Sequence, residues 1–252
     1  MSEAIKELLY KMGDDALVLG HRNSEWTGLG PILEEDIAFS SLAQDQIGHA
    51  LALYTLLEKE FAEPDPDRIA FGRDEMQYKC CHFVELPIGE YDFSLMRDFL
   101  FDHAEQCRFT SLQGSSFAPL AALAKKIKGE LKYHTLHGDL WVTKLGNGTE
   151  ESHARMQSAL NECMRFALGM FEPGEFENEL IESGVFIGEN ALQQEWLAAI
   201  TPIIEKAGLT MPDLSKIEAE YGGRKGYHTE YLAPMLEEMT EVYRSEEPTA
   251  VW

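Results

Sequence analysis

Two histidines stand in matching frames in two distant stretches of the chain. Residues 43–50 read AQDQIGHA, with His49 three residues after Gln46; residues 129–137 read GELKYHTLH, with His134 three residues after Leu131. Glutamate at Gln46 and Leu131 would make both stretches Glu-x-x-His, the pair that two helices of a four-helix bundle contribute to a di-iron carboxylate centre. That chemistry needs carboxylate and imidazole one turn apart on one helix face, the carboxylates bridging the irons and balancing their charge. A neutral amide is a poor ligand for a hard cation, and leucine is none. Two further carboxylates must come from the other two helices, and Asp15 and Asp102 are the candidates, with Glu105 nearby. Asp45 and Glu130 stand one residue before the missing glutamates, rotated by about 100° on a helix, and are the residues able to rescue a weak mononuclear site. The plain alternative is two core histidines, each hydrogen-bonded to a neighbour.

The elements that must position these residues are helical. On residues ~32–61, Leu42, Gln46, His49, Leu53 and Leu56 share one stripe; on ~117–146, Leu123, Ile127, Leu131, His134, Trp141 and Leu145 do the same. Both histidines therefore face a core. Apolar spacing also predicts helices over ~3–21, ~92–112, ~150–171, ~189–207 and ~230–245. AEPDPDR reads as a break, 74–90 as irregular, and EPGEFENELIESGVFIG as a loop or excursion. No hairpin signal and no repeat is present. Four long helices in the first 146 residues, with further helices packed on them, predict one all-α bundle domain over residues 1–252.

Composition narrows the partners. The formal charge of −23 repels nucleic acid and anionic membrane surfaces. No apolar run approaches the roughly 20 residues that span a bilayer. The opening MSEAIKELLYKMGDD has no signal-peptide core. Cys80, Cys81, Cys107 and Cys163 form no C-x-x-C, and reduced thiols in a cytoplasmic protein are expected.

Cations are scarce, at 21 Lys and Arg, yet Lys125, Lys126, Lys128 and Lys132 crowd one helix. Lys125, Lys128 and Lys132 fall roughly opposite His134. A solvated outer face explains them; docking of an acidic partner or of coenzyme A phosphates is the sharper alternative. Arg224 and Lys225, in GGRKG, are a second candidate anion or partner contact in a flexible turn. Trp26, in SEWTGLGP, reads as a core or interface anchor.

Three long runs carry a family likeness: DDALVLGHRNSEWTGLGPILEEDIAFSSLAQDQIGHA, KYHTLHGDLWVTKLGNGTEESHARMQ and GGRKGYHTEYLAPMLEEM. In this order they resemble the structural subunits of bacterial ring-1,2-phenylacetyl-CoA epoxidases, along essentially the whole chain. The resemblance implies a ferritin-like four-helix core with additional C-terminal helices and a place in aerobic phenylacetate degradation. It implies a paralogous catalytic subunit that holds the di-iron centre and binds the coenzyme A thioester, and a flavin and iron–sulfur reductase drawing on NADPH. It further implies that this chain has no cofactor of its own and assembles as a homo- or hetero-oligomer. On that reading Gln46, Leu131, His49, His134, Asp15 and Asp102 mark a metal site that has been lost. The opposing reading, a metal-dependent oxidoreductase in its own right, rests on the two retained histidines. A ferritin-type storage role suits the acidic charge but lacks the ligands.

Overall fold

The computed structural model describes residues 2–245. Helix α1 (Ser2–Ser24) buries Ile5, Leu8, Met12 and Leu19 on its inner face. It runs past residue 21 because polar residues of its last turn find buried partners, Arg22 on the Glu85 carbonyl and Asn23 on Gln46 and Asp98. Helix α2 (Leu33–Phe61) begins with Glu34, Glu35 and Asp36, whose charge suits the positive helix end. It stops at Ala62, a left-handed residue (φ 56°) just before Pro64.

The expected break at AEPDPDR also starts a helix. In α3 (Pro66–Phe71) the Asp65 side chain accepts the Arg68 N–H at 3.0 Å, and Pro66 takes the first position, where no amide hydrogen is needed. The stretch expected to be irregular holds a 3₁₀ turn, Glu75–Gln77, and a single helical turn, α4 (His82–Glu85). Then follow α5 (Tyr91–Leu112) and α6 (Ala118–Gly146). Helix α7 (Glu150–Gly169) is capped by Thr149, which accepts from the Ser152 N–H. The expected excursion contains α8 (Glu177–Glu182), and α9 (Glu189–Lys206) and α10 (Leu232–Ser245) complete the chain. Among the described residues there is no strand.

Close contacts fix the directions. Gly13 meets Tyr54 and Gly20 meets Ile47, so α1 and α2 are antiparallel. His134 lies by Asp102 and Gly138 by Phe99, so α5 and α6 are antiparallel. Asp45 reaches His134 and His49 reaches Glu130, so α2 and α6 are antiparallel too. Helices α2 and α5 therefore run the same way, and residues 62–90 must traverse the bundle between them. One long crossover in a four-helix bundle is the ferritin-like connection. Helices α7 and α9 pack on α5 and α6. Trp26 is a core anchor: its indole N–H donates to the Ser94 hydroxyl at 2.9 Å, and the ring packs on Phe39 and Tyr91.

Candidate functional site

The expected stripes bring His49 and His134 together at the centre of the bundle. Their rings lie 6.1 Å apart with planes 26° from parallel, and both are buried. Each histidine is held by the acid from the opposite helix: His49 Nε2 donates to Glu130 at 2.9 Å and His134 Nε2 to Asp45 at 3.0 Å. Asp45 and Glu130 thus cross-link α2 and α6, and neither bonds the histidine of its own helix. A third pair, His137 Nε2 on Glu35 at 2.9 Å, continues the same seam, with Tyr91 donating to Glu35 at 2.7 Å. His103 and Asp139, 2.8 Å apart, tie α5 to α6.

Further inside, His134 Nδ1 stands 3.5 Å from Asp102 Oδ1. Asn23, at the end of α1, donates to both Gln46 Oε1 (3.0 Å) and Asp98 Oδ1 (2.9 Å). Asn23 and Asp98 are site residues that periodicity alone did not single out. Asp98 lies one turn before Asp102, and that i, i+4 pair of acids on one helix was the available signal.

The neighbours divide the titrations. Burial disfavours a charged His134, but Asp102 and Asp45 outweigh it and lift the imidazole to about 9. Burial lowers His49, Glu130 opposes this, and the positive His134 adds to the lowering, so His49 falls below its ordinary value. Burial and the adjacent Asp102 push the Asp98 carboxyl up to about 7, against the pull of Arg97 and Asn23.

Among the described residues, Asn23 Oδ1, Gln46 Nε2 and Asp98 Oδ2 are buried without a hydrogen-bond partner, and Asp102 Oδ1 and His134 Nδ1 face each other at 3.5 Å. Asn23 joins Gln46 and Asp98, and Asp102 faces His134; this donor set does not fit a pair of irons. At the expected ligand positions α1 offers an amide, α2 an amide and α6 a leucine; carboxylates come from α5, Asp98 and Asp102, while Asp45 and Glu130 are taken up by the Nε2 atoms of the histidines. Two ferrous ions need more negative charge than that in a buried pocket.

Asp15, expected among the ligands, lies elsewhere. Both its oxygens are bound at 2.7 Å by Arg224, and one also accepts the Cys81 N–H at 2.8 Å. The same contact corrects the expectation for Arg224, which is buried and also donates to the carbonyls of Lys79 and Met170. It has no free face for an anion or a partner, because its charge is spent on Asp15. Lys225 is exposed and sits 3.5 Å from Glu172. Glu105 and Glu189 share Arg108 in a buried network that includes Lys11 and adjoins the Asp15–Arg224 pair. Lys125 and Lys132 are exposed and Lys128 is half-buried, all on the side of α6 away from His134.

A family model described as phenylacetic acid catabolic protein matches residues 1–252. The chain belongs to the phenylacetic acid catabolic protein family. Among the family's proteins, it is similar to the C subunit of 1,2-phenylacetyl-CoA epoxidase from Escherichia coli (strain K12), with 35% identity over 234 residues, 93% of this chain and 94% of that protein. It is also similar to the A subunit of the same enzyme and organism, with 25% identity over 195 residues, 75% of this chain and 62% of that protein. No helix among the described residues is long and apolar enough to cross a membrane.

Proposed function

We propose that this chain is the non-catalytic structural subunit of a multicomponent oxygenase that epoxidises the aromatic ring of phenylacetyl-CoA. In this reading it pairs with a paralogous subunit that holds the di-iron centre, and a reductase feeds electrons to that partner. Likeness to both the C and the A subunits of one epoxidase supports a place beside a related bundle. The observation that carries the reading is the reciprocal pairing of His49 with Glu130 and His134 with Asp45. A carboxylate on one imidazole nitrogen is how a metal-bound histidine is oriented. That support persists here, while Gln46 and Leu131 stand where carboxylates would bind the metal.

A surface suits the pairing. Both helices expose large apolar side chains, Leu33, Ile37 and Leu51 on α2 and Tyr133, Leu136 and Leu140 on α6, with Leu33 72% and Tyr133 73% exposed. So many exposed large apolar side chains favour a protein partner over water.

Co-expression with the paralogous subunit tests the reading. A stable complex is expected, with iron in the partner band alone and no product from this chain with reductase, NADPH and oxygen. Product formed by the pure chain, or two irons bound tightly by it, would overturn the proposal in favour of an oxidoreductase.

A further inference from the structure

Three donor atoms of different type meet between the crossover and the C-terminal segment, away from the bundle centre. Cys80 Sγ lies 3.6 Å from Glu85 Oε1 and 3.9 Å from His228 Nδ1, and these last two atoms are 2.7 Å apart. The side chains of Glu85 and His228 are completely buried, as is Cys80. The other polar atoms of the group are all engaged. Glu85 Oε2 accepts from both the N–H and the hydroxyl of Thr229 at 2.7 Å. His228 Nε2 lies 3.2 Å from the Tyr78 carbonyl, which can only accept, so Nε2 carries a hydrogen. That leaves the Nδ1 lone pair of a neutral imidazole aimed at an anionic oxygen, an arrangement that needs a cation, a proton or a metal ion, between or beside the two atoms.

We propose that Cys80, Glu85 and His228 form a divalent-metal site, suited to zinc, which fastens the C-terminal segment to the crossover. Sulfur, nitrogen and oxygen together are a borderline-soft set of the kind zinc takes. Ordinary zinc bond lengths at tetrahedral angles separate sulfur from nitrogen or oxygen by roughly 3.6 Å and nitrogen from oxygen by roughly 3.4 Å. The sulfur–oxygen distance already matches, the sulfur–nitrogen distance has to close by roughly 0.3 Å, and the nitrogen–oxygen pair has to open by roughly 0.7 Å. The Nε2–H bond to a backbone carbonyl is the support that metal-bound histidines receive.

Charge balance favours the exchange. Without metal, a thiol, a carboxylate and an imidazolium sum to zero. With metal, a thiolate, a carboxylate, a neutral imidazole and a dication also sum to zero. One ion enters, two protons leave to solvent, and the buried group stays neutral.

The test uses the full chain expressed in zinc medium and, separately, refolded with cobalt(II). One zinc per chain is expected, together with a thiolate-to-cobalt charge-transfer band and release of two protons per ion. Both the metal and the band are expected to fall at least tenfold in Cys80→Ser and His228→Gln. Should Cys80→Ser fail to fold, the band surviving in Cys81→Ser, Cys107→Ser and Cys163→Ser assigns the thiolate to Cys80. Background metal with no cobalt band in the folded parent chain overturns the proposal. So does metal that is undiminished in folded Cys80→Ser and His228→Gln, which places the ion elsewhere.

Discussion

His134 lies between two carboxylates, Asp45 outside and Asp102 inside, and these make it a buried cation. The consequence is measurable in the ring signals of labelled histidine. His134 should titrate near 9 and His49 below the ordinary 6.5; two rings both near 6.5 would refute the cross-paired geometry. The sign for stability follows from a folded value above the unfolded one: His134's contribution is complete below about pH 6.5 and is lost as pH rises toward 9. Asp98 acts in the same direction over a lower window, 3.8 to about 7, because the folded carboxyl holds a proton that the unfolded one has released. Asp98→Asn keeps the acceptor for Asn23 and removes the penalty. Urea unfolding should show a gain at pH 8 that exceeds the gain at pH 5 by about 3 kcal/mol; equal gains would mean that Asp98 ionises normally. The two histidines were legible in the sequence because their signal is local, a spacing within one helix. Asn23 was not, because which residue of α1 reaches this centre depends on how far α1 slides along α2. The contacts of Gly13 with Tyr54 and Gly20 with Ile47 set that slide, and they bring Asn23 level with Gln46.

Those same contacts make α1 and α2 an unusually close pair of helices. A methyl group at Gly13 would lie 2.5 Å from Tyr54 Cε1. Tyr54 cannot step aside easily, since its hydroxyl donates to Asp14 at 2.6 Å and the Arg73 guanidinium binds the same carboxylate. Helix propensity alone gives Gly→Ala a gain of about 1 kcal/mol. Gly13→Ala should nevertheless lose about 2 kcal/mol in thermal or urea unfolding, because overpacking outweighs propensity; a more stable variant would show that the two helices part freely. The long helices were readable from their apolar stripes to within a few residues. The short ones, α3, α4 and α8, were not: each is six residues or fewer and too short for a period to be visible. Helix α4 is held by what lies around it, with Arg22 bound to the Glu85 carbonyl and Glu85 itself bound to Thr229. Such long-range bonds leave no trace in local sequence.

At the scale of the whole molecule, the acidic surface and the exposed apolar side chains on α2 and α6 make different demands. The charge of −23 makes like copies repel at long range, while exposed apolar side chains favour contact with a protein at short range. Leu136→Asp with Leu140→Asp should leave helicity unchanged and weaken pairing with the paralogous bundle tenfold or more in sedimentation; unchanged pairing would move the interface to another face. One further consequence concerns how the chain is made. Asp15 and Arg224 are 209 residues apart, and the arginine is the last of the two to leave the ribosome. At about 5–20 residues per second, the carboxylate waits roughly 10–40 s for its counter-charge. Throughout that interval the nascent helices carry an unneutralised acid at a position destined for the interior. Completion of the interior thus waits until the segment that carries Arg224 has been made, and a chain interrupted between the two residues is one that quality control has reason to destroy.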